Sequence, residues 1–189
     1  MKERHDPPGA RQARVSRPQS TGLVVPVDAA RELVAPWRHL LPAAGRSLPP
    51  HVTALWPFLL VAELDAAAER RLEELLGGAE PFAFTLTRVA TLADASVLVP
   101  EPTEPFAALT RLVWDEWPEC PPFGGAFSDI APHVVVAIDP TAADRGAIEA
   151  GLAPRLPLPA RAVEVLLVEE TPSGALRERR RFALGGPSA

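Results

Sequence analysis

Residues 48–58, LPPHVTALWPF, and residues 131–137, APHVVVA, are the two stretches that decide the fold of this chain. Each follows a loop, contains the sequence Pro-His-Val, continues as an apolar strand and precedes an amphipathic helical pattern. One of the two histidines lies in each half of the chain. The repeat predicts two related lobes, each of which presents one histidine.

The sequence around these stretches alternates between strand and helix patterns. Hairpin-like pairs lie between them, and this arrangement predicts an α+β fold with mixed or antiparallel sheets. The segments 42–50 and 118–125 are rich in Pro and Gly and are predicted to be loops. Strands are predicted at residues 23–27, 51–60, 82–90, 96–99, 133–138, 162–169 and 179–184, and helices at 28–37, 65–76, 106–117 and 142–152.

The composition indicates a folded protein with a separate N-terminal segment. The chain has 189 residues, 47% of them hydrophobic and 23% charged, with a net charge of −5. This acidic balance argues against a broad nucleic-acid-binding surface but allows a local arginine-lined pocket. Residues 1–20 are basic and nearly devoid of large apolar side chains, so we predict a disordered tail there. Residues 21–187 are predicted to form a single bilobed domain.

Several classes of protein are excluded or disfavoured by what the sequence lacks. A single cysteine, Cys120, rules out an internal disulfide and a cysteine-rich zinc site. Four scattered histidines match no metal-binding motif, and there is no Gly-rich phosphate loop, so we expect no metal and no cofactor. The longest apolar stretch, residues 52–62, is too short to span a bilayer. We therefore expect a soluble, cytoplasmic, monomeric protein without a membrane partner.

Strand geometry indicates what the repeated histidines do. Side chains two residues apart in a strand point to the same face, so His51 and Thr53 share one face, as do His133 and Val135. If the two strands lie side by side, two imidazoles and one hydroxyl converge on a cleft. Two histidines across a phosphodiester supply the proton transfers of its cleavage, and a nearby hydroxyl can bind the phosphate oxygens.

At this point the sequence resembles the 2H phosphoesterases, which include the bacterial 2'-5' RNA ligases and the cyclic phosphodiesterases. Their signature is a pair of His-x-Thr/Ser motifs, one in each lobe. Residues 48–58 resemble the first motif, including the trailing aromatic-Pro-Phe, and residues 123–127 followed by 131–137 resemble the second. The resemblance implies a bilobed 2H phosphoesterase-like fold with two pseudo-symmetric lobes around a central cleft.

The same resemblance implies metal-free opening of 2',3'-cyclic phosphates to 2'-phosphates. The implied partner is a nucleotide 2',3'-cyclic phosphate or an RNA end. His51 and His133 would be the acid–base pair, with either one as the acid, and Thr53 would bind the phosphate. Hydrolysis and end joining need the same two histidines, so both reactions stay open at this stage.

Val135 departs from the family pattern, because Thr or Ser usually stands at that phosphate-binding position. Valine has nearly the same shape but no hydroxyl, and a hydrogen bond to a charged group contributes about 1.5–3 kcal/mol. We therefore expect turnover to be slowed roughly 10- to 100-fold. The alternatives are a nucleotide or RNA-end binding protein with weakened or lost catalysis, and an interaction module in which the paired histidines are coincidental.

Two further groups of residues are candidates for substrate contact. Phe127, in a glycine-rich loop, and Phe58, after the first histidine strand, could stack on a nucleobase. Core packing is the alternative for both. The arginines within residues 177–181 could reach the substrate phosphate, or they could form a solvated edge strand.

Overall fold

The computed structural model describes residues 19–125 and 131–186, and its central feature is one eight-stranded sheet. The strand order is β6-β3-β4-β5-β2-β1-β7-β8, and every neighbouring pair within the described residues is antiparallel. The strands are β1 Thr21–Pro26, β2 His51–Leu55, β3 Phe82–Leu92, β4 Ala95–Glu101, β5 Val134–Ile138, β6 Leu158–Ala162, β7 Glu164–Glu170 and β8 Leu176–Ala183.

The helices lie between these strands, and two of them begin at side-chain caps. Asp65 accepts hydrogen bonds from the backbone N–H groups of Ala67 and Ala68, and Thr141 forms a capping box with Asp144. The helices are α1 Arg31–Val34, α2 Ala43–Ser47, α3 Ala66–Gly77, α4 Glu104–Glu116 and α5 Ala142–Leu152. Short 3-10 segments occupy Asp28–Ala30, Ala35–Leu40, Pro122–Gly125 and Ala153–Arg155.

The repeat seen in the sequence is a repeat of structure. The order β1, α1 and α2, β2, α3 in the first half matches the order β4, α4, β5, α5 in the second. The two repeated units meet where β2 pairs with β5 at the centre of the sheet. Residues of both halves share one hydrophobic core on one side of the sheet, including Leu72 of α3, Phe106 of α4 and Ile148 of α5. We call this side the helix face and the opposite side the site face.

The predicted α+β architecture with antiparallel pairing is therefore confirmed, with corrections in detail. The two lobes share a single antiparallel sheet, because the histidine strands of the two halves pair directly with each other. Strand β6 was not predicted, since Pro157 and Pro159 argue against a strand. An edge strand tolerates proline, and β6 is at the edge of this sheet.

Other boundaries also differ from the predictions. The loop predicted at 42–50 contains helix α2, and the first histidine strand ends at Leu55, before the Trp56-Pro57 turn. Residues 19 and 20 belong to the folded part, since the carbonyl oxygen of Ser20 accepts a hydrogen bond of 2.9 Å from the backbone N–H of Glu170. The rest of the predicted tail, residues 1–18, lies outside the described residues, and the single-domain boundary stays a prediction.

Candidate functional site

The pairing of β2 with β5 brings the two histidine motifs together. Val52 pairs with Val134 in the antiparallel ladder, and both side chains are fully buried on the helix face. This register puts His51 opposite Val135 and Thr53 opposite His133, with all four side chains on the site face. These four residues, the His–Thr patch, are all half-buried. The predicted convergence of two imidazoles and one hydroxyl follows from this register.

The two histidine rings are held in the same way. The Nδ1 atom of His51 lies 2.8 Å from the carbonyl oxygen of Pro49, and that of His133 lies 2.7 Å from the carbonyl oxygen of Ala131. A carbonyl oxygen can only accept, so Nδ1 carries the proton in both rings. Each ring therefore has Nε2 as the atom that gains or loses a proton.

The surroundings of the His51 ring lower its basicity. Burial lowers the pKa of the His51 imidazole below its usual value, although the hydrogen bond to the Pro49 carbonyl raises it. The charges of Arg38 and His133 lower this pKa further. His51 is consequently a neutral ring near pH 7, with the Nε2 lone pair available to accept a proton.

Arg38 is a residue of this site that carried no signal in the sequence beyond its place at a helix end. Its Nη2 atom donates hydrogen bonds to the carbonyl oxygens of Gly45, Arg46 and Leu48, at 3.2, 2.7 and 2.6 Å. These bonds hold the segment that leads from α2 to His51. Only the hydrogen bonds in the folded chain reveal this role, because an arginine 13 positions before a histidine matches no sequence motif.

A cavity of about 170 Å³ opens beside His51 and Val135 of the patch. Its polar groups are His51 and Arg38, and its apolar walls include Leu41, Val135 and Ile138. On the patch itself, the Thr53 hydroxyl has no hydrogen-bond partner among the part of the chain that the structure describes. This arrangement offers an anionic ligand a neutral imidazole, a hydroxyl donor and a guanidinium at neighbouring positions.

Of the two predicted base-stacking candidates, Phe58 is part of the core. Phe58 is 4% exposed and packs edge-on against Trp117, with ring centroids 5.2 Å apart. The stacking alternative is therefore wrong for Phe58 and the core-packing alternative is correct, because the ring is part of the core and no base can reach it. Phe127 lies outside the described residues.

The arginines of β8 are engaged with carboxylates. Arg177 and Arg179 pair with Glu169, and Arg179 and Arg180 pair with Glu69 of α3. Arg181 pairs with Glu164 and Glu178. Since β8 is at the edge of the sheet, these residues form a charged edge strand, and the structure does not support their contact with a substrate phosphate.

The Cys120 thiol is buried and is not an activated nucleophile. Burial, together with the charges of Glu119 and Glu63, raises the pKa of the Cys120 thiol to about 11, so the thiolate needed for nucleophilic attack is scarce at neutral pH. Within residues 19–125 and 131–186, no three His, Cys, Asp or Glu side chains are grouped so that they could hold a metal ion. The helices of these residues include none with the length and apolar character needed to cross a membrane.

Solved structures of other proteins share this fold. Escherichia coli LigT complexed with 3'-AMP aligns with a TM-score of 0.59 at 20% identity, over 89% of this chain and 99% of LigT. A structure described as a phosphoesterase aligns with a TM-score of 0.57 at 21% identity, over 89% of this chain and 99% of its own. The protein TT0787 of Thermus thermophilus aligns with a TM-score of 0.56 at 17% identity, over 89% and 100% of the two chains.

Sequence comparison gives a family assignment as well. No curated protein matches the chain significantly. A family model described as the 2'-5' RNA ligase superfamily matches residues 25–173, which is more than half of the chain and includes both histidine motifs. The chain therefore belongs to the 2'-5' RNA ligase superfamily of 2H phosphoesterases.

Proposed function

We propose that this protein is a metal-independent phosphoesterase that opens the 2',3'-cyclic phosphates of nucleotides or RNA ends to 2'-phosphates. The observation that carries the proposal is the Val52–Val134 pairing, which puts two imidazoles and the Thr53 hydroxyl on one patch. Escherichia coli LigT was solved with 3'-AMP, NADP+ and ATP, and these three ligands favour a nucleotide as the partner here.

The proposed reaction needs one proton acceptor and one proton donor. His51 is the acceptor, because its lowered pKa keeps its Nε2 neutral. It takes a proton from a water molecule as the water oxygen attacks phosphorus. The bond between phosphorus and O3' breaks, and protonated His133 donates its Nε2 proton to the departing O3'. The products are a 2'-phosphate and a 3'-hydroxyl, and solvent returns the proton from His51 to His133.

The other groups of the patch act on the phosphate. The Thr53 hydroxyl donates to a non-bridging oxygen, on which charge increases during attack. Val135, opposite His51, lines the patch but has no side-chain hydrogen-bond donor for the phosphate. The proposed enzyme therefore has one phosphate contact fewer than its family pattern implies, and its turnover is slow.

Product analysis tests the proposed reaction. We expect the purified protein to convert 2',3'-cyclic AMP to the 2'-phosphate in the presence of EDTA, with the phosphate position identified by NMR or chromatography. Release of the 3'-phosphate would contradict the assignment of O3' as the leaving group. Complete inhibition by EDTA, reversed by added metal, would contradict the metal-independent mechanism.

A second candidate function is binding without catalysis, and Val135 is the observation that favours it. A nucleotide or RNA-end binding protein would use the same patch but have weakened or lost turnover. It would shift the His51 and His133 ring resonances on addition of a 2'-phosphorylated nucleotide and release no product. In that case Val135→Thr would not restore turnover, whereas the phosphoesterase proposal expects it to raise the rate.

A further inference from the structure

A second cavity adjoins the cavity beside His51 and has a different character. It measures about 350 Å³, and its lining includes three arginines, Arg31, Arg38 and Arg46, together with Ser47. Arg38, Pro49 and Pro50 line both cavities, so the two are contiguous. We call the second one the three-arginine cavity.

The positive charge of the three-arginine cavity is only partly neutralised. Arg31 has an ion pair with Asp28, at 2.8 Å, but Arg38 is bonded to backbone carbonyls, which carry no net charge. Arg46 is exposed and has no ion-pair partner within residues 19–125 and 131–186. Burial lowers the pKa of Arg38, and the charge of Arg31 lowers it further, as expected for guanidinium groups that repel one another.

The arginines of β8 provide an internal comparison. Each of the four, from Arg177 to Arg181, has at least one carboxylate partner among the described residues. Of the three arginines that line the second cavity, Arg31 alone has a carboxylate partner, Asp28, among the residues that the structure describes, and no acidic side chain of those residues lines the cavity. Guanidinium groups with unused donors are suited to binding phosphate oxygens.

We propose that the three-arginine cavity binds a second phosphate of the substrate, the one attached to O5' of the ribose whose cyclic phosphate lies on the His–Thr patch. The inference rests on the proposed function. In such a substrate O2' and O3' are both occupied by the cyclic phosphate, so O5' is the hydroxyl position of the ribose that remains for another phosphate. The site therefore selects 5'-phosphorylated nucleotides or RNA ends over nucleoside cyclic phosphates.

Three substrates test this selection. They are adenosine 2',3'-cyclic phosphate with a free 5'-hydroxyl, the same compound with a 5'-phosphate, and a dinucleotide that ends in a 2',3'-cyclic phosphate. We expect kcat/KM at low salt to be about tenfold higher for both of the last two, and the advantage to shrink as salt is added. The ratio of kcat/KM between these two substrates indicates whether the cavity prefers a terminal phosphate monoester or an internucleotide diester.

Two variants connect the advantage to the cavity. Arg46→Gln is expected to reduce the 5'-phosphate advantage several-fold, and the double variant Arg31→Gln/Arg46→Gln to abolish it. Both should leave kcat/KM for the 5'-hydroxyl substrate unchanged. The matched control is Arg111→Gln, since Arg111 is an exposed arginine of α4, which packs on the helix face. This control should change neither rate.

The outcomes separate the inference from the proposed function. Equal kcat/KM with and without the 5'-phosphate, or an advantage that survives in the double variant, would overturn the inference and leave the phosphoesterase proposal intact. If the wild type turns over none of the three substrates, the proposed function fails. The inference is then tested by calorimetry, which must find tighter binding of the 5'-phosphorylated substrate to wild type than to the double variant. Equal affinities would overturn it.

Discussion

At the scale of single residues, Val135 is the position at which a hydroxyl group can be added to the His–Thr patch. The side chain is half-buried and faces the site, so a hydroxyl placed there is not trapped in the core. We expect Val135→Thr to raise kcat/KM for 2',3'-cyclic AMP by roughly 10- to 100-fold, because one hydrogen bond to the phosphate is gained. The control is Val163→Thr, at an exposed valine away from the patch. An unchanged rate for Val135→Thr, with the fold intact, would contradict the assigned phosphate position.

In the proposed reaction, His51 sets the pH dependence of activity at low pH. Its Nε2 must be neutral to accept a proton, and its pKa is lowered by burial and by Arg38. Activity should therefore persist as the pH falls below the ordinary histidine value of about 6.5, and should be lost only when His51 becomes protonated. The loss of activity at acidic pH is measured by a pH profile of kcat/KM, together with NMR titration of the His51 ring. A ring that titrates at or above a pH of about 6.5 would contradict the assignment of His51 as the base.

At the scale of elements, the ion pairs of Glu169 join β8 to β7. Glu169 is 4% exposed and accepts hydrogen bonds from Arg177 and Arg179. Burial alone raises the pKa of this carboxyl, but the two arginines outweigh it and the net pKa is lowered. Its ionised form therefore stabilises the folded state above the unfolded glutamate pKa of about 4.3, and this contribution is lost as the pH falls below that value.

We accordingly expect Glu169→Gln to reduce the free energy of unfolding by about 1–3 kcal/mol at pH 7. The difference from wild type should shrink as the pH is lowered through the pKa of the folded state. Denaturant titrations at pH 7 and at acidic pH measure it. Glu149→Gln, at an exposed glutamate of α5, serves as the control and should have little effect. A difference that is independent of pH would indicate that the charge of Glu169 is not what stabilises β8.

The elements also differ in how well the sequence predicted them. Helix α5 was predicted at its observed bounds and α3 within about one residue, because the apolar side chains of these segments recur at helical spacing. In the structure both helices begin at side-chain caps, Thr141 and Asp65. Strand β6 and helix α2 were missed, since proline-rich segments favour neither element until their neighbours are known. Pairing across the sheet overrides this local preference, as the bonding of β6 to β3 demonstrates.

The same distinction holds for the site. The grouping of His51, Thr53, His133 and Val135 on one face was predicted from the repeated Pro-His-Val sequence, because each motif is local. Arg38 and the three-arginine cavity were not predicted. They depend on hydrogen bonds between the Arg38 guanidinium and backbone carbonyl oxygens of the following segment, which only the folded chain brings together. The choice between base stacking and core packing stayed open for Phe58, because a short apolar segment does not reveal which of its rings enters the core.

At the scale of the whole molecule, the two halves share one sheet and one core, so they should unfold together. Val134, fully buried at the junction of the halves, packs in the same core as residues from α3, α4 and α5. We expect a single thermal transition, with the same midpoint by circular dichroism and by tryptophan fluorescence. Val134→Ala should reduce the free energy of unfolding by roughly 2 kcal/mol, and both probes should give the same reduction. Two separable transitions would contradict the shared core and favour independent lobes.

The central claim at this scale is that one histidine from each half is required for one reaction. The most direct test is the turnover of 2',3'-cyclic AMP by His51→Ala and by His133→Ala, with circular dichroism to verify folding. Each substitution removes one of the two proton transfers, so each should lower kcat by roughly 10²- to 10⁴-fold. If either variant retained the wild-type rate, the two-histidine account would be wrong.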